Sequence, residues 1–401
     1  MRFVKVGLRK IRPMAVGDKL CLLPTAEVLT DNGWQLLKDI DITTTKVATM
    51  DPETFELSYV NPTNKHEFDY DSEIDGQLYY LKTQQIHTIC TPNHKNFVQR
   101  MRHTEFELLE ASECYGKRLK YKKDCVNVYP EASKIILKDV HGNRHSYNMN
   151  AFLKLMGMFI SDGYTSDSTG LVLTMQKDRK REYIANLEDD LGFNFVYTAT
   201  DRIRCGKTAA PGVFEKFKKL SVGGNNKFIP KFVWKLGINN CKALLDGLMN
   251  GDGCINNKGS WTYSSSSVRL CNDVQRLAFH CGYVANIRFH MKAGTTSMCR
   301  GLPITATTDG YTVNIIGSMN TPIVNYGKIR LNNEEKWIDY VGTVHCLEIP
   351  KTHLFYYRES MLSPPVWTGN SSRAGQKGIC AMQLREADMP FTKNGIRPDI
   401  L

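Results

Sequence analysis

Leu155-Met156-Gly157-Met158-Phe159-Ile160-Ser161-Asp162-Gly163 is answered later in the chain by Leu245-Asp246-Gly247-Leu248-Met249-Asn250-Gly251-Asp252-Gly253. Both are largely apolar, helix-like runs that end in Asp-Gly. Seen once, such a run is a core helix closed by a glycine at its C-terminal cap. Seen twice, it is a repeat. In each copy an amphipathic helix follows, Lys180 to Leu191 in the first and Val268 to Cys281 in the second, with apolar residues at helical spacing. Each of these closes on a glycine, Gly192 and Gly282, equally far beyond Asp162 and Asp252. The pattern predicts two equivalent units related by a pseudo-twofold axis.

The two runs resemble the paired signatures of the LAGLIDADG homing endonucleases, and Lys227-Phe228-Ile229-Pro230 is similar to that family's intervening Lys-x-x-Pro block. The resemblance implies that the helices pack through small residues, here Gly157 and Gly247, and that their C-terminal ends set Asp162 and Asp252 side by side. Paired carboxylates suit Mg²⁺, a hard cation that takes oxygen ligands, generates an attacking hydroxide and stabilises a leaving oxygen. Lys227 would offset charge on the phosphate. A β-saddle from both repeats would grip double-stranded DNA, with Arg202, Arg204 and Lys207 as candidate contacts. Read as residues alone, those three serve equally well in a solvated loop. The family implies a monomeric endonuclease, in some members an architecture kept after cutting is lost.

Outward from the repeat, the chain has two seams. Val16-Gly17-Asp18-Lys19-Leu20 precedes Cys21, and Ser371-Ser372-Arg373-Ala374-Gly375-Gln376-Lys377-Gly378 follows Asn370. Deleting residues 21–370 joins these flanks into one continuous motif. A thiol stands at one seam, with an amide side chain and a hydroxyl at the other. Alone, a cysteine is most often a small buried apolar residue, Thr-Pro-Asn-His a turn and Asn-Ser a loop dipeptide. Their joint placement at the seams of an interrupted motif reverses that reading.

Cys21-Leu22-Leu23-Pro24-Thr25-Ala26-Glu27-Val28 resembles the first block of an intein, and Thr91-Pro92-Asn93-His94 resembles its Thr-x-x-His block. Val344-His345-Cys346-Leu347 with Thr352-His353-Leu354-Phe355 resembles the penultimate block, and Gly369-Asn370-Ser371 the last. The fold class so implied is mixed. A discontinuous all-β Hint-type splicing domain, residues 21–140 and 331–370, carries an inserted α+β endonuclease domain, residues 141–330. Val47 to Met50 and Gln77 to Leu81 read as short strands of the all-β part.

The resemblance assigns chemistry to these residues, none of it needing a cofactor. Cys21 attacks the Leu20 carbonyl to give a thioester. His94, a natural acid near neutrality, protonates the departing amine, with Thr91 orienting the imidazole or the scissile amide. Ser371 attacks the thioester, Asn370 cyclises to release the branch, and an ester-to-amide shift joins Leu20 to Ser371. Two positions depart from the family pattern. Gly369 replaces the usual His before the terminal Asn, leaving His353 or backbone donors to polarise the Asn370 carbonyl. Cys346 stands where Asp is common, and a thiol exchanges hydrogen bonds more weakly.

The flanks, residues 1–20 and 371–401, resemble pieces of the second-largest subunit of a eukaryotic-type or large-DNA-virus RNA polymerase. The match rests on Gly17-Asp18-Lys19, on Ser372 to Gly378 with Ala374 where cellular enzymes usually have His, and on Asp388-Met389-Pro390-Phe391-Thr392. It implies that Lys19 and Lys377 lie near phosphates of RNA or incoming nucleotide, and that other polymerase subunits are partners of the joined flanks. The polymerase's own catalytic carboxylates are absent from these flanks.

Composition agrees with this division. Of the net charge of +11, residues 1–20 hold +5 and residues 371–401 hold +2, so the long interruption carries only +4. Bulk charge is therefore weak evidence that the interruption binds a polyanion. Twelve cysteines without a C-x-x-C pair predict reduced thiols and an intracellular protein, and the polymerase resemblance implies the nucleus or cytoplasm of a eukaryote or virus-infected cell. No apolar run reaches the length of a membrane span, and Met1 to Met14, basic and without an apolar stretch, does not read as a secretory signal. Two alternatives remain beside a bifunctional element: splicing with an inactive endonuclease, and a polymerase fragment with an inert insertion.

Overall fold

The computed structural model describes residues 21–370 apart from 176, 199–200, 256–259, 300–301, 318–319 and 326–332. Lys19, Ser371, Lys377 and the rest of the flanks lie outside the described residues. The chain folds as a mixed α/β protein with several sheets.

The two ends of the described chain share one nine-stranded sheet. Within it, Leu354–Arg358 pairs antiparallel with Glu27–Thr30, and Val366–Gly369 lies between Leu354–Arg358 and Lys95–Arg100. The last strands are thus central, not appended. Leu354–Arg358 and Val366–Gly369 are buried on both faces, so their sequences read as unbroken runs without a polar alternation. A second ladder pairs Val341–Glu348 with Asn64–Asp71 along their whole lengths, and Glu334–Ile338 pairs with Leu78–Lys82. Val47–Met50 forms the strand its sequence predicts, and the strand expected at Gln77 to Leu81 is shifted by one residue.

The interior of the chain builds the helical unit. Asn148 caps the first core helix, Met149–Asp162, by accepting from the Ala151 amide at 3.1 Å. This helix crosses the second core helix, Ile238–Asp252, through two glycines. A Cβ on Gly157 would stand 2.5 Å from the Leu248 nitrogen and 2.7 Å from the Leu244 oxygen, and one on Gly247 would collide with the Lys154 carbonyl. Backbone therefore packs on backbone, which no larger residue permits at this crossing. Each helix runs straight into a strand that opens a four-stranded sheet. The sheets match in order: Gly163–Ser166, Gly170–Thr174, Arg202–Cys205, Val196–Tyr197 in the first, and Gly253–Ile255, Trp261–Ser265, Gly310–Ile316, Val284–Met291 in the second.

The amphipathic helices that follow differ between the copies. Val268–His280 is continuous. The helix expected from Lys180 to Leu191 breaks into Asp178–Ala185 and Glu188–Leu191, because the Leu187 amide bonds to the Ile184 carbonyl and tightens the turn at Asn186. Gly192 and Gly282 close the two segments at φ +73° and +77°. No helix among the described residues is long and apolar enough to cross a membrane.

Candidate active sites

Leu22 fixes the first site. Its backbone bridges His345 on one side and Cys90 on the other, both antiparallel. Extending each pairing by one residue places Cys21 between Cys346 and Thr91. Cys21, fully buried, donates its amide to Thr91 Oγ1 at 3.0 Å, and its carbonyl accepts from the Thr91 amide at 3.1 Å. Thr91 thus holds the nitrogen of the Leu20–Cys21 bond itself. Cys346, also buried, packs in one small cluster with Cys21, Tyr70, Leu78 and Val344. Burial lowers the His345 pKa below the usual histidine value.

His94 follows Thr91 in the same turn, its amide bonded to the Thr91 carbonyl at 3.0 Å. The imidazole is fully buried, and Nε2 lies 2.6 Å from Thr368 Oγ1. Thr368 sits two residues before Asn370, so a chain of contacts runs Cys21, Thr91, His94, Thr368 between the two ends of the described residues.

Asn370 is 1% exposed. Its amide donates to the His353 carbonyl at 2.9 Å and its Nδ2 donates to the Ile349 carbonyl at 3.0 Å. Its Oδ1 finds no partner among the described residues. His353 reaches this position from a left-handed backbone conformation, φ 55°, uncommon for a residue with a side chain. At Gly369 a Cβ would lie 2.7 Å from Leu108 Cδ2 and 2.8 Å from the Lys95 carbonyl. The strands from 95 and 107 fill the space a histidine would need, which is a steric reason for glycine there.

The second site is made by the ends of the core helices. Gly251 faces Ser161 and Asp162. Burial, and then the charge of Asp162, raise the pKa of Asp252 above its ordinary value. Lys180 forms a short ion pair with Asp162, and Lys227 donates to the Ser161 carbonyl. Lys227, Asp252, Ser264, His290 and Tyr311 line a cleft that opens here. Arg202 and Arg204 share one face of their strand while Ile203 and Cys205 enter the core. Lys207 is engaged by Asp167 at 3.3 Å and sits over the Phe214 ring.

Four participants in these two sites escape a reading of the sequence. Lys180 carries a signal: it falls on the apolar stripe with Ile184, Leu187 and Leu191, where a charge needs a buried partner. Thr368, Ser161 and the Ile349 carbonyl carry none, because a hydroxyl or a backbone oxygen gains its role only from the fold.

Two carboxylates at one point fit a hard divalent cation. Among the described residues no cluster of three or more His, Cys, Asp or Glu side chains is present, so water and phosphate oxygens would complete the shell, as is usual for Mg²⁺.

Residues 370–401 match the family model described as RNA polymerase Rpb2, domain 6. The ATP-dependent Clp protease proteolytic subunit of Chlamydomonas moewusii is 31% identical over 299 residues, covering 67% of this chain and 28% of its own length. The DNA-directed RNA polymerase subunit beta C-terminal section of Stigeoclonium helveticum is 28% identical over 425 residues, covering 92% of this chain and 38% of its own. The chain thus spans well under half of either relative. Among solved structures, a splice-inactive variant of the AceL NrdHF class 3 split intein is similar at 20% identity and TM-score 0.21, over 32% of this chain and 71% of that one. I-DmoI in complex with DNA and Ca is similar at 15% identity and TM-score 0.27, over 42% of this chain and 83% of that one.

Proposed function

We propose that residues 21–370 excise themselves and join Leu20 to Ser371, and that the inserted helical unit cleaves double-stranded DNA. The splicing half is supported by the buried contact chain Cys21, Thr91, His94, Thr368, which links Cys21 to the strand that leads into Asn370. The two curated relatives bear unlike names, a protease subunit and a polymerase subunit, yet their alignments together exceed this chain and so share part of it. A segment found under two such names has the character of a mobile insertion.

The Cys21 thiol adds to the Leu20 carbonyl, the Leu20–Cys21 C–N bond breaks, and the thiol's proton passes through His94 to the freed amine. Thr91 holds that nitrogen in a fixed orientation throughout. The Ser371 hydroxyl displaces the Cys21 thiol, which takes back a proton. Asn370 Nδ2, aimed by the Ile349 carbonyl, attacks its own carbonyl carbon; the bond to Ser371 breaks and the proton leaving Nδ2 goes to the Ser371 amine. The Ser371 amine then takes the Leu20 acyl group from its own oxygen. The joined flanks would return to an RNA polymerase, with Lys19 and Lys377 near phosphates.

In the helical unit Asp162 and Asp252 would hold Mg²⁺, which when bound would supply an activated water and offset leaving-group charge. Lys180 and Lys227 place positive charge close to the carboxylates, Lys180 on Asp162 and Lys227 near Asp252. Arg202 and Arg204 would track the DNA backbone. Lys207 contributes less, being held by Asp167. The proposed target is DNA of the uninterrupted polymerase gene, bound by one copy of the chain.

Expression of the intact chain should yield residues 21–370 as one product and 1–20 joined to 371–401 as the other. Persistence of the full-length chain alone would overturn splicing. Asn370→Ala should stop release at the C-terminal seam while leaving a thiol-sensitive linkage at Leu20. With Mg²⁺ and DNA spanning the joined junction, Asp162→Ala and Asp252→Ala should each abolish double-strand cleavage; cutting that survives both removes the endonuclease reading.

A further inference from the structure

The helix Val268–His280 is buried on two faces. Leu270, Cys271, Val274, Leu277, Ala278 and Cys281 belong to the core of the helical unit. Asn272, Gln275, Arg276 and Phe279, at helical spacing on the other side, face the sheet that carries the splice junctions.

That second face is tightly specified. Arg358, fully buried in the strand Leu354–Arg358, donates to Gln275 Oε1 at 2.7 Å and Asn272 Oδ1 at 2.9 Å on the helix, and to Glu27 Oε2 at 2.7 Å in the sheet. Its guanidinium also lies 4.2 Å from the Trp34 ring centroid. Phe279 stacks on Tyr356 at 4.2 Å and 17°, and meets Trp367 at 5.8 Å. Trp367 is three residues before Asn370, and its Nε1 is fixed to the Asp124 carbonyl at 2.8 Å. An aromatic side chain of the inserted unit therefore forms the floor under the strand that delivers Asn370.

We propose that Phe279 is a positioning residue for the Asn370 step: the inserted unit clasps the strand Val366–Gly369 and sets the angle at which Asn370 meets its own carbonyl. The insertion is then a working part of the splicing site. This rests on the splicing reading. Asn cyclisation demands a near-attack geometry, and small displacements of reacting atoms cost large factors in rate. The Cys21 junction is held directly by Leu22, Thr91 and His345, and meets the strand Val366–Gly369 only at one remove, through His94 and Thr368, so it should depend far less on Phe279.

The test uses the full chain with both flanks and reads the two junctions separately, as dithiothreitol-induced cleavage at Leu20–Cys21 and as release at Asn370–Ser371. Phe279→Ala should slow release at Asn370 by roughly ten- to hundredfold while dithiothreitol cleavage stays within about twofold. Phe279→Leu, which keeps most of the volume, should recover a large part of the loss, and retained DNA cleavage or an unchanged melting profile reports the fold of each variant. Equal slowing at both junctions would make Phe279 merely structural and overturn the inference, as would wild-type release in Phe279→Ala. Failure of the wild-type chain to cleave at either junction would instead sink the splicing reading, and this inference with it.

Discussion

At the residue scale, the sites are governed by who holds whom. Thr91 is legible as part of a Thr-x-x-His block, but that its Oγ1 accepts from the Cys21 nitrogen is visible only once Leu22 bridges to Cys90, which sets Thr91 beside Cys21. Thr91→Val should lose that hydrogen bond, worth about 1–2 kcal/mol, and slow thiol-induced cleavage at Leu20 roughly tenfold without altering release at Asn370; gel analysis with dithiothreitol separates the two rates. Gly369 reads in the sequence as a missing histidine, with no reason attached. The reason is the Lys95 carbonyl and Leu108 side chain against its face. Gly369→Ala should therefore destabilise by about 1–3 kcal/mol, seen as a lower denaturation midpoint, and slow release at Asn370. Gly369→His should do worse in both respects, even though histidine is the residue usual before the terminal Asn of inteins. A gain in splicing by Gly369→His would show that the strand opens more easily than its packing implies.

At the scale of elements, the core helices are legible because their packing is written in spacing: two apolar runs, each with a glycine at the same place and an aspartate at the same end. The crossing leaves no space for a side chain, so Gly247→Ala should cost about 1–3 kcal/mol or more and sharply reduce DNA cleavage by moving Asp252 away from Asp162; melting curves and a cleavage time course measure the two effects. The helix Val268–His280 is legible as amphipathic and misleading in its polar side. Gln275 and Arg276 are ordinarily solvent-facing, but both are buried here, Arg276 donating to the Asp31 carbonyl at 3.2 Å and lying over the Tyr59 and Trp234 rings. Periodicity identifies which residues share a face, and it says nothing of a second partner that covers the polar one. The break after Ala185 is equally hidden, since Asn186 is only a mild helix disfavourer and the tightened turn is a choice of the packed state.

At the scale of the molecule, the seams are visible at residue level, yet no pattern in the chain reveals that its last strands are central ones, or that the inserted unit shares a core with them through Phe279. That shared interior buries titratable groups, so stability should carry a pH signature. Glu359, beside the strand Leu354–Arg358, is buried; burial lifts its pKa to about 8 from an ordinary 4.5, and one carboxylate oxygen has no partner among the described residues. Between those two values the folded chain keeps a proton that the unfolded chain releases. The stabilisation from Glu359 is thus complete below about 4.5 and is lost as pH climbs through about 8. Asp273, raised to about 6 by burial, acts in the same sense over a narrower window. His87, lowered to about 4, and Lys123, lowered to about 7, act oppositely, since the unfolded chain then binds the extra proton. A wild-type profile alone would mix these four with other shifted groups, Asp252, His280 and His345 among them. Glu359→Gln isolates one, because the amide is neutral at every pH and nearly isosteric. In urea titrations of splicing-blocked Asn370→Ala chains, the Glu359→Gln variant should gain stability relative to its parent as pH rises from about 5 to about 8.5, the two differing least at the acidic end. Parallel profiles across that range would mean that Glu359 is charged in the folded chain and that water or a cation reaches it.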